Sequence, residues 1–309
     1  MSTTQKQIIF SDSHEFLAVL EQTLREQAER NGRSQDYTNL KEELAIERFL
    51  ARIDPEVAIV KGGTAAMLTL SNTPHTKDVD LVITDTVVQS LGLDKMNPAQ
   101  RADALAELVQ DHLRKAPKSD FFRFKLETAF PITDLKPGHA CARVNISVMV
   151  GKSEIHFLQV DIALQDTEIP SKLLPGRDLL GFAEVSNPQI RTVTPEYLVA
   201  DKVTLYLEEH GTADADRVKD IVHAALIIQN CSLEKVHLTK LLADRAVHRE
   251  VIDKLRLPVP DPPDRWNDRF DELIEQANTN MTMREAINII KEKINEIRNE
   301  AVTLAAKFP

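Results

Sequence analysis

VAIVKGGTAAMLTLSNTPHTKDVDLVIT, residues 57–84, reads as a short apolar strand, a double glycine followed by a hydroxyl, a short helix, a loop, and a second strand carrying two acids one residue apart. Successive side chains of a strand point to opposite faces, so Asp78 and Asp80 project together while Val79, Leu81 and Ile83 turn to the core. Two carboxylates side by side repel unless a cation sits between them, and oxygen-only ligands favour Mg²⁺. Upstream, Gly62 and Gly63 would let a phosphate approach the backbone, where the N–H groups opening a helix at Thr64 point at it. The plainer readings stand beside these: a Gly-Gly turn with no ligand, and a solvated acidic strand end.

Working outward, the N-terminal side carries two helical patterns. Phe16, Leu17, Leu20 and Leu24 fall at helical spacing within residues 13–31, with Ser13 as N-cap and Gly32 as stop, and Leu40, Leu44 and Leu50 follow within residues 38–53. C-terminal to the central stretch, Asn97-Pro98 caps and opens an amphipathic helix that runs to Leu113. Three β-rich runs come next: residues 121–130, 142–150 and 154–164, the last two joined by a tight Gly151-Lys152 turn. In the last run, alternation puts Ile155, Phe157, Gln159 and Asp161 on one face. Asp161 reads either as a plain strand-end acid or as a third carboxylate for the Asp78/Asp80 pair.

Residues 169–188 contain three prolines and two glycines and read as a connecting loop. Beyond them the pattern is helical. Thr194-Pro195-Glu196 opens one helix, residues 211–215 break it, and further helices occupy 216–230, 232–248 and 265–277. Thr282 and Glu285 form a capping box for a last long helix. The expected architecture is α+β: a mixed sheet flanked by helices in residues 1–190, then an all-helical half in residues 191–309.

Composition narrows the function classes. The chain of 309 residues is 42% hydrophobic and 28% charged, in the range of globular proteins. Its two cysteines, Cys141 and Cys231, are far apart and in no zinc-binding spacing, which fits a reducing cytoplasmic setting. No run approaches the roughly 18 apolar residues a membrane span needs. A formal net charge of −10 argues against indiscriminate nucleic-acid coating, yet residues 114–143 hold seven basic side chains (Arg114, Lys115, Lys118, Arg123, Lys125, Lys136, Arg143) against three acids (Asp120, Glu127, Asp134). This basic stretch reads as a solvated face or as an RNA contact. Phe121, Phe122 and Phe124 within it read as core or as base-stacking platforms. A P-loop is excluded, because the lysine here precedes the glycines.

Lys61-Gly62-Gly63-Thr64 followed by Thr76-Lys77-Asp78-Val79-Asp80-Leu81 resembles the pattern of the DNA polymerase β-like nucleotidyltransferase superfamily, and within it the AbiEii nucleotidyltransferase toxins of bacterial toxin–antitoxin and phage-defence systems. The resemblance extends to Lys202, in a helix after the Thr-Pro-Glu start, and to Arg217, Lys219 and Asp220 at the next helix. It departs at His223, where many relatives carry a further Asp. What the resemblance implies is a polymerase β-like core and Mg²⁺-dependent transfer of a nucleoside monophosphate from an NTP to a hydroxyl. The expected acceptor is RNA, the tRNA 3′ end, with a cognate antitoxin as partner. Asp78, Asp80 and Asp161 would hold metal, Gly62, Gly63 and Thr64 the phosphates, and Lys61, Lys202 and Arg217 would neutralise charge, with Asp220 orienting Lys202 or Arg217. Two metal ions about 3.5–4 Å apart would activate the attacking hydroxyl and stabilise the leaving group. A small-molecule or protein acceptor, or a noncatalytic nucleotide-binding regulator, are the alternatives. Lys202 by itself also reads as a snorkelling surface lysine. Thr64 and Thr76 are further candidates for regulation, since a phosphoryl group adds about −1.5 to −2 charge beside the acids.

Overall fold

The computed structural model describes residues 10–30, 36–115, 120–132, 141–164, 169–208 and 215–307. Lys118, Asp134, Lys136, the Gly32 stop and the break at residues 211–214 lie outside them. The elements run α1 (Ser13–Arg30), α2 (Asp36–Leu50), β1 (Ala58–Lys61), α3 (Gly62–Thr69), β2 (Asp78–Ile83), α4 (Asp85–Leu91), α5 (Pro98–Arg114), β3 (Phe122–Pro131), β4 (Ala142–Val150), β5 (Ser153–Leu164), β6 (Ser171–Pro175) and β7 (Gln189–Val193). Helices α6 (Pro195–Leu207), α7 (Ala215–Asn230), α8 (Lys235–His248), α9 (Ile252–Leu255), α10 (Asn267–Gln276) and α11 (Met283–Ala305) complete the chain. Among the described residues no helix is long and apolar enough to cross a membrane.

The strands form one mixed sheet in the order β3-β4-β5-β2-β1-β7-β6. Pairs β2/β5 and β1/β7 are parallel, and β3/β4 and β4/β5 antiparallel. The expected mixed sheet with flanking helices and a helical C-terminal half is thus what the chain forms. Two short strands, β6 and β7, depart from expectation, because the first falls inside the proline-rich segment read as loop. Five-residue strands carry too little alternation to be seen without their neighbours.

Local signals explain several termini. Asn97 accepts from the Gln100 N–H at 2.9 Å while the Gln100 side chain accepts from the Asn97 N–H, closing a capping box at α5. Thr282 and Glu285 do the same at α11, and the Thr194 hydroxyl accepts from the Tyr197 N–H at α6. At α1 the cap is Asp12 rather than Ser13: its carboxylate accepts from the N–H groups of His14 and Glu15 at 2.8 and 2.9 Å. Gly151 turns the β4–β5 hairpin with a φ of 62°, a conformation glycine adopts without strain.

The chain divides into two compact units. The first comprises Met1–Val60, Thr76–Glu168 and Leu173–Thr192. In it α1, α2 and α5 pack on β3, β4 and β5, whose Val144, Ile146, Val148, Leu158, Val160 and Ile162 are buried. Arg48 of α2 and Arg52, just past its end, both reach the buried carboxylate of Asp120. Phe122 is buried, Phe121 stacks on Phe16 with ring centroids 4.9 Å apart, and the Arg52 guanidinium lies over Phe124. Phe122 is therefore core, and Phe121 and Phe124, half-buried, are packed against protein side chains.

The second unit comprises Lys61–His75, Ile169–Lys172 and Val193–Pro309. Its centre is α6, buried on every side from Pro195 to Thr204 and packed by α3, α7 and α8. A helix buried all round must pair whatever polar groups it carries. Asp201 accordingly accepts from Arg249 at 2.8 Å and from Arg245 at 3.1 Å.

Candidate active site

In the first unit, β2 and β5 lie in parallel register with Asp78 opposite Gln159 and Asp80 opposite Asp161. Cα partners in neighbouring strands present side chains to the same face. Asp78, Asp80 and Asp161 therefore share one face, while Val79, Leu81, Val160 and Ile162 fill the buried one. Ile155 leaves the expected alternation and is buried, because it is the extra residue of a bulge: Val148 pairs with His156 and Met149 with Glu154, with Ile155 inserted between.

Asp161 is engaged by a residue that the sequence placed only in a basic stretch. Arg143, its Cα partner on β4, donates from Nε to Oδ1 at 2.6 Å and from Nη2 to Oδ2 at 2.7 Å. That two-pronged bond raises the Arg143 pKa further; burial opposes it, and the charges of Asp161, Asp78 and Asp80 add to the rise. Gln159 Nε2 approaches Asp78 Oδ1 at 3.4 Å; with the amide turned over, its oxygen instead accepts from Arg143 at 3.1 and 3.3 Å. The second orientation is the better satisfied one, because it sets an oxygen against donors.

As a donor set, Asp78, Asp80 and Asp161 fit a hard divalent cation: three carboxylates and no sulfur or imidazole, all on one strand face. Among the described residues, however, no group of three or more His, Cys, Asp or Glu side chains is gathered closely enough to hold a metal ion. Both oxygens of Asp161 are turned to Arg143.

The second unit carries the remaining predicted residues. Gly62 follows Lys61 with a φ of 64°, and α3 opens at Gly62 rather than at Thr64. A side chain at position 62 would be strained, and the N–H groups of residues 62–65 are those that open α3. Thr64 is wholly buried, as Thr76 in the first unit nearly is at 5% exposure.

On α6 and α7, Lys202 Nζ donates to Asp220 Oδ1 and Arg217 Nη1 to Asp220 Oδ2, each at 2.8 Å. Lys219 donates to the His75 carbonyl at 2.9 Å. Lys202 is 8% exposed, so it does not snorkel to the surface. His223 is fully buried with neither ring nitrogen hydrogen-bonded to a described residue. Burial, then the charges of Lys202 and Lys219, push its pKa well below the usual imidazole range, so it is neutral. Three cations, one acid and a neutral imidazole leave this cluster net positive, the sign that suits a phosphorylated ligand.

The basic stretch thins in the structure. Arg123 and Lys125 of β3 are exposed, but Lys125 pairs with Glu127 at 2.9 Å and Arg143 with Asp161.

Among solved structures, MenT4, a nucleotidyltransferase toxin from Mycobacterium tuberculosis, has a similar fold: TM-score 0.50 at 13% identity, covering 93% of this chain and 98% of that one. JHP933 from Helicobacter pylori aligns at TM-score 0.46 and 16% identity, over 88% of this chain and 96% of that one. No curated protein matches significantly by sequence. Residues 45–299 match the model of the AbiEii nucleotidyl transferase toxins of type IV toxin–antitoxin systems, a span that includes Asp78, Asp80, Asp161, Lys202, Arg217 and Asp220, and the chain belongs to that family.

Proposed function

We propose that this nucleotidyltransferase is Mg²⁺-dependent and moves a nucleoside monophosphate from an NTP to an RNA hydroxyl, the tRNA 3′ end, releasing pyrophosphate. The observation that carries the metal reading is the register of β2 and β5, which lines up Asp78, Asp80 and Asp161 on one face. Bound there, divalent cations would lower the pKa of the attacking hydroxyl and offset charge on the departing pyrophosphate.

The chain's own residues divide the remaining work. Asp78 and Asp80 would hold the cation, and Asp161 would join them on the nucleophile side. Backbone N–H groups at the start of α3, from Gly62 to Thr64, would receive the β- and γ-phosphate oxygens, which a helix N-terminus favours. Thr64, being buried, would contribute its N–H rather than its hydroxyl. Lys61 and Lys202 would neutralise phosphate charge, with Asp220 holding Lys202 and Arg217 in position. The RNA acceptor is what the resemblance to AbiEii-like toxins implies. The family also implies a cognate antitoxin.

One incubation tests this reading. Purified protein, Mg²⁺, each labelled NTP in turn and total tRNA should give label on the tRNA 3′ end with one preferred nucleotide, and Asp80→Asn should give none. Label on a small molecule or protein would overturn the acceptor, and turnover undiminished by a chelator would overturn the metal.

A further inference from the structure

The face that carries these acids continues past β5 onto β4 and β3. Asp80 is the Cα partner of Asp161, Asp161 of Arg143, and Arg143 of Phe130, so one row crosses β2, β5, β4 and β3. A second row, two residues along each strand, runs Asp78, Gln159, Asn145, Thr128. Of the side chains in these two rows, three are carboxylates and one, Arg143, is a cation. Neighbouring strands lie about 4.8 Å apart, so three like charges at this spacing repel strongly unless a counter-charge is present.

We propose that Arg143 is a displaceable internal counter-ion: in the cation-free chain it takes both oxygens of Asp161, and it competes with the divalent cation for that carboxylate. The inference rests on the reading of Asp78, Asp80 and Asp161 as metal ligands. Two features define the competition. The fork is well formed, so both Asp161 oxygens are occupied when no cation is present. The pair is also reachable by water, with Arg143 and Asp161 side chains 32% and 17% exposed, so a hydrated cation can approach Asp161 and solvent can take up the released guanidinium. Gln159, beside both Asp78 and Arg143, offers the guanidinium a second acceptor when Asp161 is withdrawn. Arg143 would thus relieve repulsion in the cation-free fold and raise the cation concentration at which Asp161 becomes a ligand.

The test uses the full chain without nucleotide and Mn²⁺ as the probe, counting free Mn²⁺ by its spin resonance and following thermal unfolding in parallel. Arg143→Gln should melt lower than wild type without Mn²⁺, bind Mn²⁺ about tenfold more tightly, and gain more in melting temperature when Mn²⁺ is added. Arg143→Lys, which keeps the charge and loses the fork, should lie between. Arg143→Gln/Asp161→Asn should bind no more tightly than Asp161→Asn alone. A folded Arg143→Gln protein with unchanged or weaker Mn²⁺ binding would overturn the proposal and leave Arg143 a fixed partner. If Arg143→Gln does not fold, Arg143→Lys decides: affinity equal to wild type or weaker overturns it. Asp80→Asn separates the two readings, since undiminished Mn²⁺ binding there removes the metal site itself, and the counter-ion with it.

Discussion

Lys202 and Asp220 form a pair whose side chains are 10% and 5% exposed, and Arg217 takes the second oxygen of the same carboxylate. An exposed lysine could become alanine within about 0.5 kcal/mol. A buried one cannot, because its loss leaves Asp220 with a single partner; breaking a buried pair costs up to about 3–5 kcal/mol, and the remaining Arg217 places this case lower, at about 1–3 kcal/mol. Lys202→Ala should show that loss in urea unfolding and should also transfer about 10²–10³-fold more slowly at a temperature where it is folded. Asp220→Asn should be impaired in the same way, and the double variant should fall short of the sum by about 0.5–3 kcal/mol. Near wild-type transfer by folded Lys202→Ala would return the pair to a purely structural role.

Asp78→Asn and Asp80→Asn change charge without changing size. Each should lower transfer by at least about 10²-fold, while the cation-free protein melts at the same temperature or higher, because repulsion on the β2 face is relieved. Wild type should melt higher with Mg²⁺ than with chelator, and both variants should lose that difference. A Mg²⁺-dependent rise surviving in both would remove these acids from the metal reading.

Glu47 makes stability depend on pH. Burial raises its pKa to about 7, although the Arg177 N–H donates to Oε2 at 2.5 Å and Arg48 and Arg177 oppose the rise. The folded chain therefore holds this proton more tightly than the unfolded one, whose value is 4.5. The contribution is fully present below pH 4.5, is lost as pH rises through about 7, and amounts to about 3 kcal/mol. Glu47→Gln should flatten that part of the stability curve and be the more stable protein above pH 7. Chemical denaturation across the range checks it; parallel curves for the two proteins would contradict it.

Asp201 works with the opposite sign. Burial would raise its pKa, but Arg249, then Arg245, then Lys202 outweigh that and hold it far below the carboxylate range. Its contribution is present above pH 3.8 and lost as pH falls toward the folded value. Asp201→Ala would leave two buried guanidiniums short of a partner and should cost about 3–5 kcal/mol. The loss of transfer should track the unfolded fraction, since Asp201 has no assigned role toward substrate. Inactivity in a fully folded Asp201→Ala protein would contradict this.

Much of the fold was legible because its signals are local. The caps at Asn97, Thr194 and Thr282 lie within three residues of the groups they satisfy, and β4 was readable to the residue from its β-branched run. Alternation also showed Asp78 and Asp80 on one face with Val79 between them. The two five-residue strands β6 and β7 were not legible. They exist through pairing with distant chain, as where Val60 of β1 meets Thr192 of β7.

What the sequence by itself determined was which residue types recur at which short spacings: the double glycine before a helix, the paired acids on one strand face, the capped helices. Tertiary structure alone decided which side chains meet. Arg143 read as one charge in a basic stretch until the β4/β5 register set it against Asp161, and Lys202 read as a surface lysine until packing on every side of α6 buried it against Asp220. The physical reason is cooperative. A strand's register and a helix's buried surface are chosen by the whole apolar face, here Val144, Ile146 and Val148 against Leu158, Val160 and Ile162, and each polar partner follows from that choice.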